Sequence, residues 1–253
     1  MSDINFNGLA ISGLPAPISN GVRGPVRADR YGNLTTNAHA KWRHTVAAEG
    51  AYFVAHNATN DAATTLAGHA APVLADADAT MTKPFIHCRS GLPSGSLIRH
   101  ALDFIEIEVI TAGANGTADS WATQLDTGAT RVSSGGTALT IVNPNMQSTA
   151  TSALVVLGGA VVTGAESGNV RELAHGQFRP SIMVAGDKYM FIFGAEPEMV
   201  GSQSPVAAGS IARHVVGLPP VQLGSGDQFL LALYSPSQSA AAVYKVRMGW
   251  TEL

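Results

Sequence analysis

The chain has 253 residues, enough for one large β domain or for a domain of about 200 residues with an appended segment. Only 13% of the residues are charged and 45% are hydrophobic, so the folded body would expose an unusually uncharged surface. The formal net charge is −3 and the lysines and arginines are scattered, which excludes the basic patch that nucleic-acid binding needs. The composition favours a protein that covers part of its surface with other chains.

The N-terminal sequence is not typical of a targeting segment. It has no basic start followed by an apolar run, and no stretch of about 18 apolar residues occurs anywhere, so neither a secretory signal nor a membrane span is predicted. The single cysteine, Cys88, cannot close a disulfide within the chain. We therefore expect a protein that is made in a cytoplasm and is stabilised by packing or by association.

Residues 1–40 are predicted to form an extended N-terminal arm. They contain Pro15, Pro17, Pro25 and five glycines, and they show neither a helical nor a strand period. Proline fixes φ and biases the preceding residue away from helix, so this segment favours extended chain that lies on another surface. The folded body is predicted to span residues 41–253, with short strands between residues 41 and 54.

The strand signal is clearest at residues 102–110. Here Ile105, Ile107 and Val109 alternate with polar Glu106 and Glu108, the period of a half-buried strand. Asn115-Gly116 follows, a pair that favours a type I′ hairpin turn. The preceding segment, residues 57–82, is rich in alanine and threonine and is predicted to be a loop with a short strand from Ala71 to Leu74.

The rest of the chain repeats short β runs between Gly, Ser, Asn and Pro. The predicted strands are WATQL (121–125), TALTIV (137–142), ALVVLGGAVV (153–162), IMVAG (182–186), KYMFIF (188–193), ARHVVGL (212–218), FLLALYS (229–235) and VYKVRMGW (243–250). The last two are predicted to form a closing hairpin. No interval has the room or the pattern for crossover helices, so the sequence predicts an all-β fold, an antiparallel jelly-roll-like β-sandwich.

The segment Leu125-Asp126-Thr127-Gly128-Ala129-Thr130 matches the active-site turn of retroviral-type aspartic proteases. Those enzymes need two carboxylates that share a proton, and this chain has one copy of the motif, so catalysis would require a dimer through Asp126. Asp and Gly also favour turns for conformational reasons alone, and an ordinary strand-ending turn is the preferred interpretation.

No metal site or cofactor is predicted. The eight histidines are His39, His44, His56, His69, His87, His100, His175 and His214, and none pairs with another at a spacing typical of metal ligands. Adjacent His87 and Cys88 should point to opposite sides of a strand. Asp76 and Asp78 lack the glycine and the glutamate of a calcium loop.

Other catalytic patterns are weak. Cys88 has no basic partner in the sequence pattern, and no Gly-x-Ser-x-Gly elbow occurs. Glu106 and Glu108 share one strand face, as a glycosidase pair could, but a charged outer face is the ordinary way to keep a sheet soluble. We therefore predict a protein that is not an enzyme.

Three segments carry a resemblance to a known class: GVRGPVRADRYGNL (21–34), SSGGTALTIVNPNM (133–146) and LLALYSPSQSAAAVYKVRMGWTEL (230–253). They resemble virion structural proteins of tailed bacteriophages, and most of the chain is similar to jelly-roll capsid cement or decoration proteins. The resemblance implies a virion protein, made in the host cytoplasm and placed on the capsid exterior, commonly as a homotrimer that clamps neighbouring major capsid subunits.

In such a protein the arm would add main-chain hydrogen bonds to the sheet edge of a neighbour. We predict Arg23, Arg27, Arg30 and Tyr31 as its contact residues, because arginine and tyrosine contribute strongly to interfaces. Two other functions stay open. One is a receptor- or glycan-binding tail or baseplate module, with Trp121 or Tyr234 stacking on sugar, and the other is the dimeric aspartic protease.

Overall fold

The computed structural model of the chain describes residues 46–57, 65–71, 81–128, 130–167, 169–195, 211 and 213–253. The predicted arm lies outside these residues, together with Arg23, Arg27, Arg30 and Tyr31, and so does its boundary with the body at residue 41. These features stay predictions.

The described residues form a short helical turn at 46–48 and a series of β-strands. In chain order the strands are β1 (Tyr52–His56), β2 (Leu66–Ala67), β3 (Ile86–Ser90), β4 (His100–Thr111), β5 (Asp119–Asp126), β6 (Val132–Ala138), β7 (Thr140–Val142), β8 (Leu154–Thr163), β9 (Arg171–Arg179), β10 (Lys188–Phe193), β11 (Arg213–Leu218), β12 (Gln222–Leu223), β13 (Gln228–Tyr234) and β14 (Val243–Glu252).

The strands form two sheets that pack face to face as a sandwich, which confirms the predicted fold class. The first sheet has the order β11-β10-β4-β14-β1-β7, with β12 also paired to β4 and β2 to β14. The second sheet has the order β6-β8-β3-β13-β5-β9. Every pair is antiparallel except β10 and β11, which are parallel, contrary to the expectation of antiparallel pairing throughout.

Strand β4 shows how the sequence pattern builds the core. Ile105, Ile107 and Val109 are fully buried between the sheets, whereas Glu106 and Glu108 lie on the outer face. Aromatic side chains fill the space between the sheets. Trp121 of the second sheet meets Phe191 of the first edge to face, with 5.3 Å between ring centroids.

Both predicted hairpins are wrong. Strands β4 and β5 belong to different sheets, and so do β13 and β14, so residues 112–118 and 235–242 cross from one sheet to the other. The two crossings lie side by side: Ala114 bridges to Ala240, and the Asn115 amide donates to Ser239 Oγ at 2.7 Å. Asn115 does adopt the left-handed conformation that its pairing with glycine suggested, with φ of 61°.

Three of the predicted strands need correction. The strand predicted at 137–142 is broken at Leu139, because β6 belongs to the second sheet and β7 to the first. Residues 182–186 form a turn, in which the Val184 N–H donates to the Asp187 carboxylate at 2.7 Å. Between residues 41 and 54, residues 46–48 are helical and the strand begins only at Tyr52. The strand predicted from Ala71 to Leu74 lies outside the described residues except for Ala71, which is not in a strand.

Strand β5 runs the length of the sandwich. We name the two ends of the sandwich after the last and first residues of this strand, Asp126 and Asp119. The Asp126 end holds Asp126, the start of β13 at Gln228 and the end of β14 at Glu252. The Asp119 end holds Asp119 and Arg179, which are register partners, and the start of β10 at Lys188.

Candidate functional site

The Asp-Thr-Gly segment lies on the outer face of the second sheet. Trp121 and Leu125 of β5 point into the core between the sheets. Strand alternation therefore places Gln124 and Asp126 on the opposite face. Glycine is required at the third position of the segment because Gly128 has φ of 102°.

Asp126 is fully buried and its carboxylate is held entirely by its own chain. It accepts hydrogen bonds from the Thr127 N–H at 2.7 Å, from the Ser167 N–H at 3.3 Å and from the Ser167 hydroxyl. Arg131 Nη1 lies 3.3 Å from Asp126 Oδ2. The negative charge is thus balanced by a neighbouring guanidinium.

Arg131 lies across the outer face, where it ties several segments together. Its Nη1 donates to Gln124 Oε1 at 2.7 Å and its Nη2 donates to the Met81 carbonyl at 3.3 Å. Glu166 Oε1 is 3.9 Å from Nη2. The side chain is almost completely buried, so this arginine acts as an internal link and leaves little surface for an external anion.

His87 extends the same polar network. Its Nε2 lies 2.9 Å from Gln228 Oε1, an oxygen that also accepts the Arg131 N–H at 3.0 Å. Burial lowers the pKa of His87, and nearby Arg131 and Arg89 lower it further. The hydrogen bond that His87 Nε2 makes to Gln228 Oε1 raises the pKa, but by less. The ring is therefore neutral at neutral pH. Its neighbour Cys88 points the other way, with Sγ 3.9 Å from Met248 Sδ in the core, as predicted.

This arrangement does not suit an aspartic protease. Two carboxylates can share a proton only if they approach each other closely, and Asp126 is enclosed by Ser167, Thr127 and Arg131 of its own chain. The preferred interpretation of the segment, a strand that ends in an Asp-Gly turn, agrees with the end of β5 at Asp126. Asp126 acts here as a structural anchor.

A cleft of about 480 Å³ opens beside this network at the Asp126 end, between the second sheet and β12. Its polar lining includes Asp126, Asp227 and Arg171. Asp227 is engaged within the chain as well, because it accepts the Gly224 N–H at 2.7 Å. The cleft is large enough for a small polar molecule, but its two carboxylates already have internal partners.

A second buried polar group at the Asp119 end could not be found from the sequence. Asp119 accepts a hydrogen bond from the Tyr189 hydroxyl, and Asp187 pairs with Arg179 at 2.9 Å. Burial raises the pKa of Asp119 to about 7. The hydrogen bond from Tyr189 and the charge of Arg179 lower this pKa, whereas the charge of Asp187 raises it. In the sequence, Asp119 follows a segment with turn residues and Asp187 follows a glycine, so the local pattern predicts that both aspartates lie in solvated turns.

The residues proposed for sugar stacking are mostly unavailable. Trp121 is only 6% exposed and packs against Phe178 and Phe191 in the core. Tyr234 is half-buried and packs against a small apolar cluster that contains Leu230 and Ala232. The glycan-binding hypothesis therefore loses Trp121 as a contact.

Glu106 and Glu108 do share the outer face of the first sheet, as predicted. Each faces a cation: Glu106 Oε2 lies 2.5 Å from Arg247 Nη2, and Glu108 Oε2 lies 3.3 Å from Lys188 Nζ. Both pairs are partly exposed, which is typical of a solvated sheet face.

Within the described ranges, no three His, Cys, Asp or Glu side chains come together as metal ligands. His39, His44, Asp76 and Asp78 lie outside those ranges. Burial raises the pKa of the Cys88 thiol, so the thiolate that would act as a nucleophile is disfavoured.

Comparison with protein-family models, with curated proteins and with solved structures finds no match to this chain. Among the residues that the structure covers, no helix is long and apolar enough to cross a membrane.

Proposed function

We propose that this chain is a non-enzymatic structural protein of a tailed-bacteriophage virion, most specifically a capsid cement or decoration protein. In this proposal it sits on the capsid exterior as a homotrimer and contacts the major capsid protein, with its arm binding to neighbours through Arg23, Arg27, Arg30 and Tyr31. The observation that carries the proposal is a group of exposed apolar side chains at the Asp126 end.

This group, the apolar end, consists of Leu97, Ile98, Met146 and Leu253. Their side chains are 91%, 45%, 98% and 62% exposed. Backbone hydrogen bonds hold Leu253 to Arg99, and the loop with Met146 is held through Asn145, whose amide donates to the Ala48 carbonyl at 3.0 Å. Exposed apolar side chains that are gathered at one end mark a surface that other chains cover.

The predicted arm would leave the body at this same end. The described chain starts at residue 46, and Ala51 accepts the Glu252 N–H next to Leu253. An arm and an apolar surface that adjoin could engage the same neighbour, which favours a second copy of the chain as the first partner.

The proposal is tested by the mass of the purified full-length chain in solution, measured by light scattering. Leu97→Ser with Met146→Ser should shift the wild-type oligomer towards monomer, because an interface at this surface would remove the exposed Leu97 and Met146 side chains from water. The matched control is Ile211→Ser, which removes an apolar side chain that is 62% exposed away from the apolar end. A monomeric wild type, or equal masses for both variants, would contradict self-association through this surface.

The tail or baseplate module is the second candidate, and the cleft beside Asp126 is the feature that favours it. It would be supported by glycan binding that Arg171→Ala abolishes. Arg171 lines the cleft and is exposed, so its removal leaves the core intact.

A further inference from the structure

We propose that the buried group around Asp119 is a proton-dependent clamp between the two sheets, closed while Asp119 holds a proton and loosened when Asp119 is ionised. This inference concerns the Asp119 end and does not depend on the assembly proposed for the apolar end.

The clamp joins elements of both sheets. Asp119 begins β5 and Arg179 ends β9, both in the second sheet. Tyr189 belongs to β10 in the first sheet, and Asp187 immediately precedes that strand. The Tyr189–Asp119 and Arg179–Asp187 contacts therefore both connect the second sheet to the first, and all four side chains are almost completely buried.

Counted over the residues that the structure describes, the charges in this group do not balance when both carboxylates are ionised. Among the described residues, the groups that face Asp119 are Arg179 of β9, Asp187 before β10, Tyr189 of β10 and Tyr244 of β14. His214 of β11 faces Asp187 and Arg179 of the same group. Arg179 is the single guanidinium among them, and it pairs with Asp187. Within the described part of the chain, the Asp119 carboxylate accepts only from the Tyr189 hydroxyl, and its Oδ1 has no hydrogen-bond partner.

A proton on Asp119 removes this imbalance, since one carboxylate and one guanidinium then remain. Without that proton the group buries a net negative charge with an unsatisfied oxygen, which is costly away from water. Burial raises the pKa of Asp119 to about 7. His214 does not supply the missing positive charge, because burial lowers its pKa and its Nε2 has no partner.

The part of the fold that should loosen is the flank formed by β10 and β11. Strand β10 is reached through the turn that Asp187 holds together by accepting the Val184 N–H. Among the described strands, β11 pairs only with β10. Opening of this flank would expose Asp119 to water and relieve the buried charge.

The direction of the pH effect separates Asp119 from the histidines. An aspartate whose pKa is raised in the closed state stabilises that state most at low pH, and the advantage disappears as the pH rises towards about 7. A histidine with a lowered pKa, such as His214, has the opposite effect, because it destabilises the closed state as the pH falls.

Hydrogen exchange of the β10 and β11 amides in the full chain tests the clamp. Rates are divided by those of an unstructured peptide at the same pH, to give the opening equilibrium. In the wild type this equilibrium should rise by about tenfold per pH unit from pH 5 to about 7 and then level off. The Asp119→Asn variant keeps an acceptor for Tyr189 and carries no charge. In this variant the opening equilibrium of the β10 and β11 amides should not rise between pH 5 and about 7.

The amides of β3 and β8, which lie two and three strands from β5 in the second sheet, provide the internal control and should show a smaller dependence on pH. The clamp is overturned if Asp119→Asn keeps the wild-type pH dependence, or if opening in the wild type decreases as the pH rises.

Tyr189→Phe keeps the test decisive if Asp119→Asn does not fold. It removes the one hydrogen bond that a described side chain gives to the Asp119 carboxylate, and it leaves the stack on Phe178, whose ring centroid is 4.0 Å away. The levelling-off should then move to higher pH, because that hydrogen bond favours the ionised form. An unchanged profile in this variant would also overturn the proposal.

Discussion

The two ends of β5 each bury an aspartate near an arginine, yet the two groups have different properties. Asp126 has three hydrogen-bond donors and its own guanidinium, and Arg131 has further acceptors in Gln124 and Met81. Asp119 has one donor among the described residues, and the nearby Arg179 is engaged by Asp187. The comparison teaches that a buried aspartate is a structural anchor or a proton-dependent group according to how completely its charge is matched.

The largest loss of stability is expected when the ion pair between Asp126 and Arg131 is removed. Arg131→Met should lower the free energy of unfolding by about 3 to 5 kcal/mol, because it leaves the Asp126 carboxylate buried without its counter-charge. Urea unfolding at pH 7 measures this loss. Arg247→Met is the control, since the Arg247–Glu106 pair is partly exposed and should contribute less than about 1 kcal/mol. Equal losses would refute the anchoring role.

The same substitution at each end of β5 should act in opposite directions at pH 8. Asp126→Asn should destabilise by about 3 kcal/mol, because Arg131 loses its closest counter-charge. Asp119→Asn should stabilise by up to about 4 kcal/mol, since burial raises that pKa from 3.8 to about 7 and one pKa unit corresponds to about 1.36 kcal/mol.

Both variants of this pair are measured by the same urea unfolding at pH 8 and at pH 5. The gain from Asp119→Asn should be smaller at pH 5, where the wild-type aspartate is protonated in the folded state. A comparable loss of stability in both variants would show that the two ends do not differ.

A smaller effect separates conformation from chemistry in the Asp-Thr-Gly turn. Gly128→Ala should cost about 1 to 2 kcal/mol, although no heavy atom lies within 4 Å of the added methyl group, because φ of 102° is unfavourable for an L side chain. Gly95→Ala is a matched control, since Gly95 also has open space and a left-handed φ, of 82°. Thermal unfolding should give similar losses for both, and a much larger loss at Gly128 would indicate a further role.

The smallest response is expected from Cys88, which lies between the two ends in the core. Burial raises the pKa of its thiol, so a thiol reagent should not label the native chain at pH 8 and should label it fully in denaturant. Fast labelling without denaturant would show that the sandwich opens around β3.

The sequence predicted the elements in which burial alternates. Strand β4 was identified because Ile105, Ile107 and Val109 alternate with charged residues. Strand β9 was missed, because it is an edge strand in which only the last two residues are buried and which shows no apolar period. Strand β3 was predicted only at His87 and Cys88 and its bounds were not found, because polar His87 and Arg89 leave the strand with few apolar side chains.

Connections and buried polar groups were harder to predict than strands. A turn signal such as Asn115-Gly116 reports local conformation, but it does not tell whether the next strand joins the same sheet. The Asp-Thr-Gly turn was predicted from its local preferences, whereas its partner Ser167 comes from a distant loop. The Asp119 group draws on β5, β9 and β10, and no local pattern links those segments.

The most direct test of the proposed role is the number of copies of this chain per intact virus particle, measured by quantitative mass spectrometry against the major capsid protein. A capsid cement or decoration protein should be present in hundreds of copies, in a fixed ratio to the shell subunits. A few copies per particle, or none, would contradict this role, and a few copies would favour the tail or baseplate module.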